Sequence, residues 1–342
     1  MPLWTDIVDP VEATAVARVS LAEYELQWGS LARYLPNVPT GGNYVEFFVD
    51  GDQLVDEARY RAYNAPPETT GGGGGGSKLI KLPAMSGNEP IDEKTQLALK
   101  NLPDDRIRKS ILAAIRRRVF ATADRNERTR GVLIETGNVT VVQGNFTIND
   151  VFGRDAALTV NAGAGNYWTD AAVDRLAQLN TWVDLYSSKN NGRRPGSILI
   201  DPTLFNAFAR GNQFATLLAN GATRPGLQEE VRALAASAGL PPFDLYGRST
   251  KSGKVLSVKK IYLLPEPGPV ESDEAGYLGA TYYGESLMAD ADGFEGIDGE
   301  PGMVVGVYKE DRIPFTVEVQ SDAITEPVAH NANGSMAIQV LA

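Results

Sequence analysis

Few side chains in this protein are suited to nucleophilic or metal chemistry. Its 342 residues include no Cys and a single His, His330. The absence of Cys excludes disulfides, thiolate nucleophiles and the zinc sites that are built on cysteine. A Ser/His/Asp triad would need His330, which lies in the turn-rich segment 326–334, and the chain has no Gly-x-Ser-x-Gly motif. No pair of carboxylates stands out, so we predict no catalytic residue.

A run of six glycines, Gly71 to Gly76, is the motif closest to a nucleotide site, and it is followed by Ser77 and Lys78. Consecutive backbone N–H groups can bind an anion. A phosphate loop, however, needs Gly-Lys-Ser/Thr at its end and a helix after it. Here the order is Gly-Ser-Lys, and the strand-like segment 79–82 follows. The pattern favours a flexible loop tip, and we predict no cofactor-binding residue.

The fragment Asp290-Ala291-Asp292-Gly293 matches part of a calcium loop, in which closely spaced acids supply oxygen ligands. The further acid and the closing Glu are missing at the required spacing, so we predict no metal-binding residue. The fragment belongs to the stretch 265–301, which carries ten acids and no Lys or Arg. Such a stretch is either a solvated acidic face or a surface for a basic partner.

Charge is segregated along the chain. With 32 Lys+Arg and 43 Asp+Glu the net charge is −11, which is not typical of a protein that grips a nucleic-acid groove. Residues 104–130 nevertheless carry nine basic and four acidic residues, a local charge of +5 that leaves −16 for the rest. The basic residues are Arg106, Arg108, Lys109, Arg116, Arg117, Arg118, Arg125, Arg128 and Arg130. They can contact DNA phosphates, acidic stretches of another copy, or solvent.

The spacing of apolar residues predicts an α+β fold. Alternation predicts a strand at Tyr44–Val49, and a three- and four-residue spacing predicts a long helix at about 104–136 that ends before Gly137. Further helices are predicted around 172–186, at Thr203–Ala209 with Asp201 as N-cap, and at Leu227–Ser237. Strands are predicted at 140–143, 145–148, 157–160, 197–200, 255–264, 278–283, 303–308, 315–320 and 335–340. The first 40 residues are interpreted as an extended arm with room for a short helix.

No signal peptide or apolar run of 18 residues is present in the sequence. We therefore expect a chain that is cytosolic at synthesis and does not span a membrane.

Taken in this order, the elements resemble those of tailed-phage major capsid proteins with the Hong Kong 97 type fold. The resemblance is closest to the lambda-type branch, the major capsid protein E family. It is carried by the loop that leads into Lys81-Leu82-Pro83, the basic helix, the segment from Trp168 to Phe205, and the ending from Pro314 to Ala342.

The resemblance implies a division of the chain. Residues 1–42 would be an N-terminal arm, and 43–90 strands with an extended loop whose tip is Gly71–Gly76. Residues 91–160 would form a peripheral domain around the long helix at about 104–136. Residues 161–301 would form an axial domain, and 302–342 would supply C-terminal strands that return to the sheet.

The resemblance also implies a function without an active site. Hexamers and pentamers of one chain would close an icosahedral shell around double-stranded DNA, without sequence-specific binding and without a membrane. A separate scaffolding protein, a portal and a decoration or cement protein are the expected partners. The protein would be found in the virion after assembly in the host cytoplasm.

Some relatives link subunits by a Lys–Asn isopeptide bond, and Lys78, Lys81, Asn331 and Asn333 are the residues that would form one here. The lambda-like branch uses non-covalent cement, which favours no cross-link. Two other functions stay open at this point. One is a nanocompartment shell with the same fold, and the other is an α/β enzyme with a ligand site in 161–301, near Asp201.

Overall fold

The computed structural model describes residues 3, 8–49, 76–99, 104–144, 146–217, 223–268, 277–294, 301–310, 312 and 316–342. The chain forms two compact units, and each is drawn from three stretches of sequence. Unit 1 comprises Met1–Val45, Leu79–Arg130 and Ala280–Pro327. Unit 2 comprises Glu46–Lys78, Gly131–Gly279 and Val328–Ala342.

The described α-helices are α1 (Pro10–Trp28), α2 (Glu93–Leu99), α3 (Asp104–Thr136), α4 (Arg175–Lys189), α5 (Pro202–Ala209) and α6 (Gln228–Ser237). The described strands are β1 (Asn37–Pro39), β2 (Tyr44–Val49), β3 (Gly76–Lys81), β4 (Ala84–Ile91), β5 (Asn138–Gln143), β6 (Phe146–Val151), β7 (Thr159–Asn161), β8 (Ser197–Ile200), β9 (Thr216–Leu217), β10 (Thr223–Arg224), β11 (Phe243–Leu245), β12 (Ser249–Thr250), β13 (Gly253–Lys254), β14 (Lys260–Leu264), β15 (Gly279–Tyr283), β16 (Val304–Lys309), β17 (Val317–Ala329) and β18 (Met336–Gln339).

The sheet of unit 1 is organised around β17. The order is β1-β15-β17-β16, and β4 also pairs with β17 in antiparallel register from Ile91↔Val317 to Ala84↔Ile324. Side chains of β17 alternate between buried and half-buried over its first eight residues, as a strand with one face on a core requires. Helices α1 and α3 cover that core and bury small and branched side chains from both, among them Ala13, Ala17, Leu21, Ile111, Ile115 and Val119.

Unit 2 contains a second five-stranded sheet, in the order β11-β8-β14-β18-β7. Its core includes Leu179 and Val183 of α4 and Phe205 and Phe208 of α5, together with apolar residues of the sheet. Phe208 is at the centre of an aromatic cluster, with ring centroids 4.9 Å from Trp168 and from Phe214 and 5.1 Å from Phe243. This packing explains why the short α5 is stable, since an eight-residue helix gains little from its own hydrogen bonds.

In the described part of the chain, four two-stranded sheets lie outside these two sheets, and two of them, the hairpins β2–β3 and β5–β6, have the longest strands. Strands β2 and β3 pair only with each other among the described strands, and so do β5 and β6. The β5–β6 register runs from Asn138↔Val151 to Gln143↔Phe146, which leaves a two-residue turn with Gly144 at φ +55°. The run Gly71–Gly75, and with it most of the predicted loop tip, lies outside the described residues, and Gly76 begins β3.

Several predicted elements are confirmed. The long helix occupies Asp104–Thr136, with 33 residues and a length of about 50 Å, and it ends at Gly137, whose φ is +76°. The strands Tyr44–Val49 and Ser197–Ile200 are present with the predicted bounds. Asp201 is the N-cap of α5, and Pro202 is its first residue.

Other predictions are wrong in part. Residues 10–28 form the helix α1 and not an extended arm, because Ala13, Ala17 and Leu21 have a core to pack on. Of the strand predicted at 255–264, only Lys260–Leu264 forms. The segment expected to turn from residue 326 stays in β17 as far as Ala329.

The compact units cut across the predicted domain boundaries. Residues 131–160 belong to unit 2 and residues 280–301 to unit 1. The reason is that strands from distant parts of the sequence pair with each other, so a compact unit does not follow the order of the sequence. The two predicted strands of the tail also separate, with β17 in one sheet and β18 in the other.

The N-cap of α5 supplies a first prediction. The Oδ1 atom of Asp201 accepts hydrogen bonds from Thr203 N (2.8 Å) and Oγ1 (2.5 Å), and Oδ2 lies 3.0 Å from Lys254 Nζ. Burial alone would raise the pKa of Asp201, but these bonds outweigh it and hold the pKa below the ordinary 3.8. Asp201→Ala removes both cap and charge and should lower the free energy of unfolding by about 1–2 kcal/mol in urea denaturation.

Asp201→Asn keeps an oxygen acceptor for Thr203 and should cost less. The pKa of Asp201 is lower in the folded protein than in the unfolded one. Wild type should therefore have a higher free energy of unfolding than Asp201→Asn above the unfolded pKa, and this difference should disappear as the pH falls through the folded pKa. Asp174→Ala, at the N-cap of α4, is the control for loss of a cap alone. An advantage over Asp201→Asn that is equal at pH 6 and at pH 2 would contradict the assignment.

Candidate functional surfaces

A fully buried arginine lies in unit 1, where α1 and α3 meet the sheet. The side chain of Arg130, on α3, is 0% exposed. Its Nη1 atom is 2.7 Å from Glu25 Oε1 on α1 and 3.3 Å from Glu127 Oε2, one turn earlier on α3. A buried guanidinium requires such partners because the cost of removing its charge from water is several kcal/mol.

Further donors of Arg130 are also used. Its Nε donates to Thr281 Oγ1 (2.9 Å) on β15, its Nη1 to Ser30 Oγ (3.1 Å), and its Nη2 to Asn37 Oδ1 on β1. Burial lowers the pKa of Arg130, but the carboxylates of Glu25 and Glu127 outweigh it, so the net shift is upward. The side chain therefore stays a cation and joins α1, α3, β1 and β15.

Glu127 ties the chain after α1 to the same centre. It accepts hydrogen bonds from Ser30 Oγ (2.6 Å) and from the backbone N–H of Leu31 (2.9 Å). Nearby, Asn126 Nδ2 donates to Tyr283 Oη (2.8 Å), and burial raises the pKa of Tyr283 to about 12. The phenol is therefore neutral at physiological pH.

By charge alone Arg130 is one more cation of the basic helix, and its burial was not predicted from the sequence. A signal was present, since Arg130 continues the spacing of the buried side chains Ile111, Ile115, Val119, Ala123 and Asn126 along one face of α3. An arginine in line with a buried stripe is directed towards the core, where its charge needs an acidic partner.

A second buried arginine, Arg175 of unit 2, has a different environment. Its guanidinium donates to the carbonyls of Ala207 (2.5 Å), Phe208 (2.6 Å) and Trp168 (2.7 Å). Two of these carbonyls are at the C-terminus of α5, where a cation is favoured. Arg175 thus caps the C-terminus of α5 and, because it is buried there, is not available to a ligand.

The other cations of α3 divide into paired and exposed residues. Arg108 pairs with Glu12 of α1, and Arg117 Nε lies 2.5 Å from Glu89 Oε1 on β4. Arg106, Lys109 and Arg116 lie on the exposed side of the helix. Contact with DNA phosphates, with another copy or with solvent therefore cannot be assigned to all cations of the basic helix together, because some of them pair with acidic residues of unit 1.

Exposed apolar side chains occur on the hairpin β5–β6 and on α1. Val142 is 75% exposed, and Phe146 and Val151 are about half exposed. On α1, Val19 is 58% and Leu26 87% exposed. Side chains of this size at such exposure mark contact surfaces when they cluster.

The structure places three of the four cross-link candidates in internal contacts. Lys78 Nζ donates to the carbonyl of Val151 (3.0 Å) and lies 3.8 Å from Asp150 Oδ1. Asn333 is buried, and its Oδ1 accepts from the backbone N–H of Asp155 (2.8 Å). Lys81 is exposed.

Asn331 Nδ2 is 3.3 Å from Asn190 Oδ1, within the same unit. It therefore joins Lys78 and Asn333 as a cross-link candidate that already has a partner in its own chain.

The other residues considered for catalysis or metal binding do not lie together in one site. His330 lies against the ring of Tyr277, with centroids 5.5 Å apart. Asp290 and Asp292 are exposed in a turn. In the part of the chain that the structure describes, no three His, Asp or Glu side chains lie close enough to hold a metal ion. No described helix combines the length and the apolar composition needed to cross a membrane.

The buried arginine generates a prediction with a matched control. Arg130→Met leaves Glu25 and Glu127 buried without their cation and should lower the free energy of unfolding by about 3–5 kcal/mol. Arg108→Met removes another α3 arginine that pairs with a Glu of α1, but that pair is 45% and 40% exposed, so its loss should cost about 0–1 kcal/mol. Chemical denaturation of the subunit measures both, and similar losses for the two variants would contradict the assignment.

Comparison with known proteins gives fold and family. A sequence search of curated proteins found no significant match. The structure is similar to a putative prophage capsid protein of Escherichia coli CFT073, with a TM-score of 0.62, 14% identity, and 96% of this chain and 98% of that chain covered. It is also similar to a phage-related protein from Bordetella bronchiseptica RB50, with a TM-score of 0.57, 13% identity, and 95% and 96% covered.

The capsid of a native GTA particle gives a TM-score of 0.50 at 12% identity, with 92% and 90% covered. At these identities the likenesses show the fold, which is that of Hong Kong 97 type capsid proteins. The sequence model of the family described as phage major capsid protein E matches residues 43–293, which is more than half of the chain. This protein therefore belongs to the phage major capsid protein E family, and its role is a structural one in the capsid shell.

Proposed function

We propose that many copies of this chain assemble as hexamers and pentamers into a closed icosahedral shell around double-stranded phage DNA. The observation that carries the proposal is the family match over residues 43–293, together with a capsid fold that extends over almost the whole chain. One chain can occupy both kinds of ring when the contacts between neighbouring copies tolerate small changes of angle.

Features of the described residues support assembly. The hairpins β2–β3 and β5–β6 have outer edges that pair with no other described strand. An isolated two-stranded hairpin is marginally stable in water, and an open strand edge readily pairs or packs with another chain. Val142 and Phe146 add apolar surface to the hairpin β5–β6.

The charge distribution supports enclosure of DNA without tight binding. A net charge of −11 per subunit repels phosphates on average, while the exposed Arg106, Lys109 and Arg116 remain local positive sites. We assign the peripheral position to the part of the chain around α3 and the axial position to the sheet of unit 2. Residues 43–90 supply strands and the extended loop between subunits.

The proposal includes partners and location. A separate scaffolding protein directs assembly in the host cytoplasm, a portal occupies one vertex, and a decoration or cement protein reinforces the virion. The chain itself acts only by assembly and catalyses no reaction. The family match supports this part, because the family is one of structural shell proteins.

Electron microscopy of the purified protein, with sedimentation, tests the shell. Hollow particles of megadalton mass are the expected result, and a small oligomer as the final state would support an enzyme instead. Nuclease treatment of native particles then tests the content. Protected double-stranded DNA is expected, whereas particles filled only with protein would identify a nanocompartment and refute the phage proposal.

The contacts of Lys78, Asn331 and Asn333 predict shells without covalent links, because each of these side chains has a partner in its own subunit. Denaturing electrophoresis of boiled particles should give a single band near 36.8 kDa. A ladder of multiples of this mass would overturn the prediction. In that event, loss of the ladder in Lys78→Arg or in Lys81→Arg would identify the lysine responsible.

A further inference from the structure

Helix α1 carries apolar residues on two faces. The inward face places Ala13, Ala17 and Leu21 in the core of unit 1. The opposite face consists of Ala15, Val19, Ala22 and Leu26, all of them exposed, and we call these four residues the outer ridge. Leu26 is 87% and Val19 is 58% exposed. A helix that is apolar on opposite faces is typical of a helix buried on both sides, so the outer ridge lacks a cover in the described subunit.

The spacing of the outer ridge indicates how it is covered. Its members follow one another at intervals of four, three and four residues, which is the repeat of a seam between packed helices. Two of the four are Ala, and small side chains allow another backbone to approach closely. A scatter of single exposed apolar residues would need no explanation, but a continuous seam does.

The charges on the helix that packs alongside α1 indicate the chemistry of the partner. Helix α3 runs alongside α1, because Glu12 pairs with Arg108 and the ring of Tyr24 stacks on that of Phe120 at 4.2 Å. Between these two contacts, α3 carries Lys109 and Arg116, both of them exposed.

Arg106 lies just before the first of these contacts and is exposed as well. A partner for this face must therefore combine apolar residues with negative charge. Outside residues 104–130 this chain itself carries a net charge of −16.

We propose that the outer ridge, with Arg106, Lys109 and Arg116, is the contact surface for a second copy of this chain. The ridge supplies apolar contact area, and the three cations orient the acidic surface of the neighbour. Two copies of the same positive face repel each other, so the contact joins this face to a different surface of the next copy. Such a head-to-tail contact generates rings. The inference rests on the proposed function, because this surface meets a second copy only when the chain assembles into a shell.

A site-specific cross-link tests the contact directly, because the chain has no Cys of its own. Leu26→Cys, labelled with a photoactivatable maleimide and irradiated in assembled particles, should give dimers whose cross-linked peptides both come from this chain. Leu287→Cys is the control, since Leu287 is 83% exposed in unit 1 but is not part of the ridge. Cross-links that are absent at position 26, equally frequent at 287, or directed to a different protein would overturn the inference.

A second pair of variants tests the energetic role. Val19→Gln/Leu26→Gln removes only exposed apolar surface, so the subunit should keep its unfolding midpoint while the concentration needed for assembly rises at least about tenfold. Leu287→Gln should change that concentration less than about twofold, and an equal effect would refute the ridge.

Lys109→Gln/Arg116→Gln should make assembly less sensitive to salt, since exposed charges act through screened attraction. If the unmodified chain forms no particles at all, the proposed function fails; if particles form and the ridge variants assemble normally, only this inference fails.

Discussion

The structure of unit 1 depends on one buried charge. Arg130 is fully removed from water, and a guanidinium in that position is tolerable only when most of its N–H groups are used. Its partners come from α1, the turn after α1, β1, α3 and β15, which are separated by up to about 250 residues of sequence. These segments must be correctly placed together, because an arrangement that lacks one of them leaves a polar group buried without its partner.

This constraint decides which surface α1 presents. With Glu25 fixed on Arg130 and Tyr24 stacked on Phe120, the rotation of α1 about its axis is set, and the inward face meets the core of unit 1. The outer ridge then points away from that core as a consequence. The same side chain that stabilises the subunit thereby orients the surface that we propose for assembly.

Local signals explain what was predictable from the sequence. The apolar spacing of α3, the glycine after it and the Asp-Pro start of α5 each act within a few residues, and the structure contains all three. The continuation of β17 through Pro327 and the division of the chain into discontinuous units depend on pairing between distant segments. The burial of Arg130 depends on Glu25, about a hundred residues away, so charge counting along α3 could not separate it from Arg106 or Arg116.

Net charge is therefore a poor guide to what this helix binds. Of the cations on α3, Arg130 is neutralised inside unit 1, and Arg108 and Arg117 have acidic partners on α1 and β4. The positive charge open to another molecule is consequently smaller than the +5 of the segment, and it is confined to a few positions. A few cations can neutralise only a few phosphates of a DNA backbone, and the subunit charge of −11 opposes that attraction. In the contact that we propose, they orient a neighbouring acidic subunit whose affinity comes from apolar contact, because charges at the rim of an interface contribute direction more than binding energy.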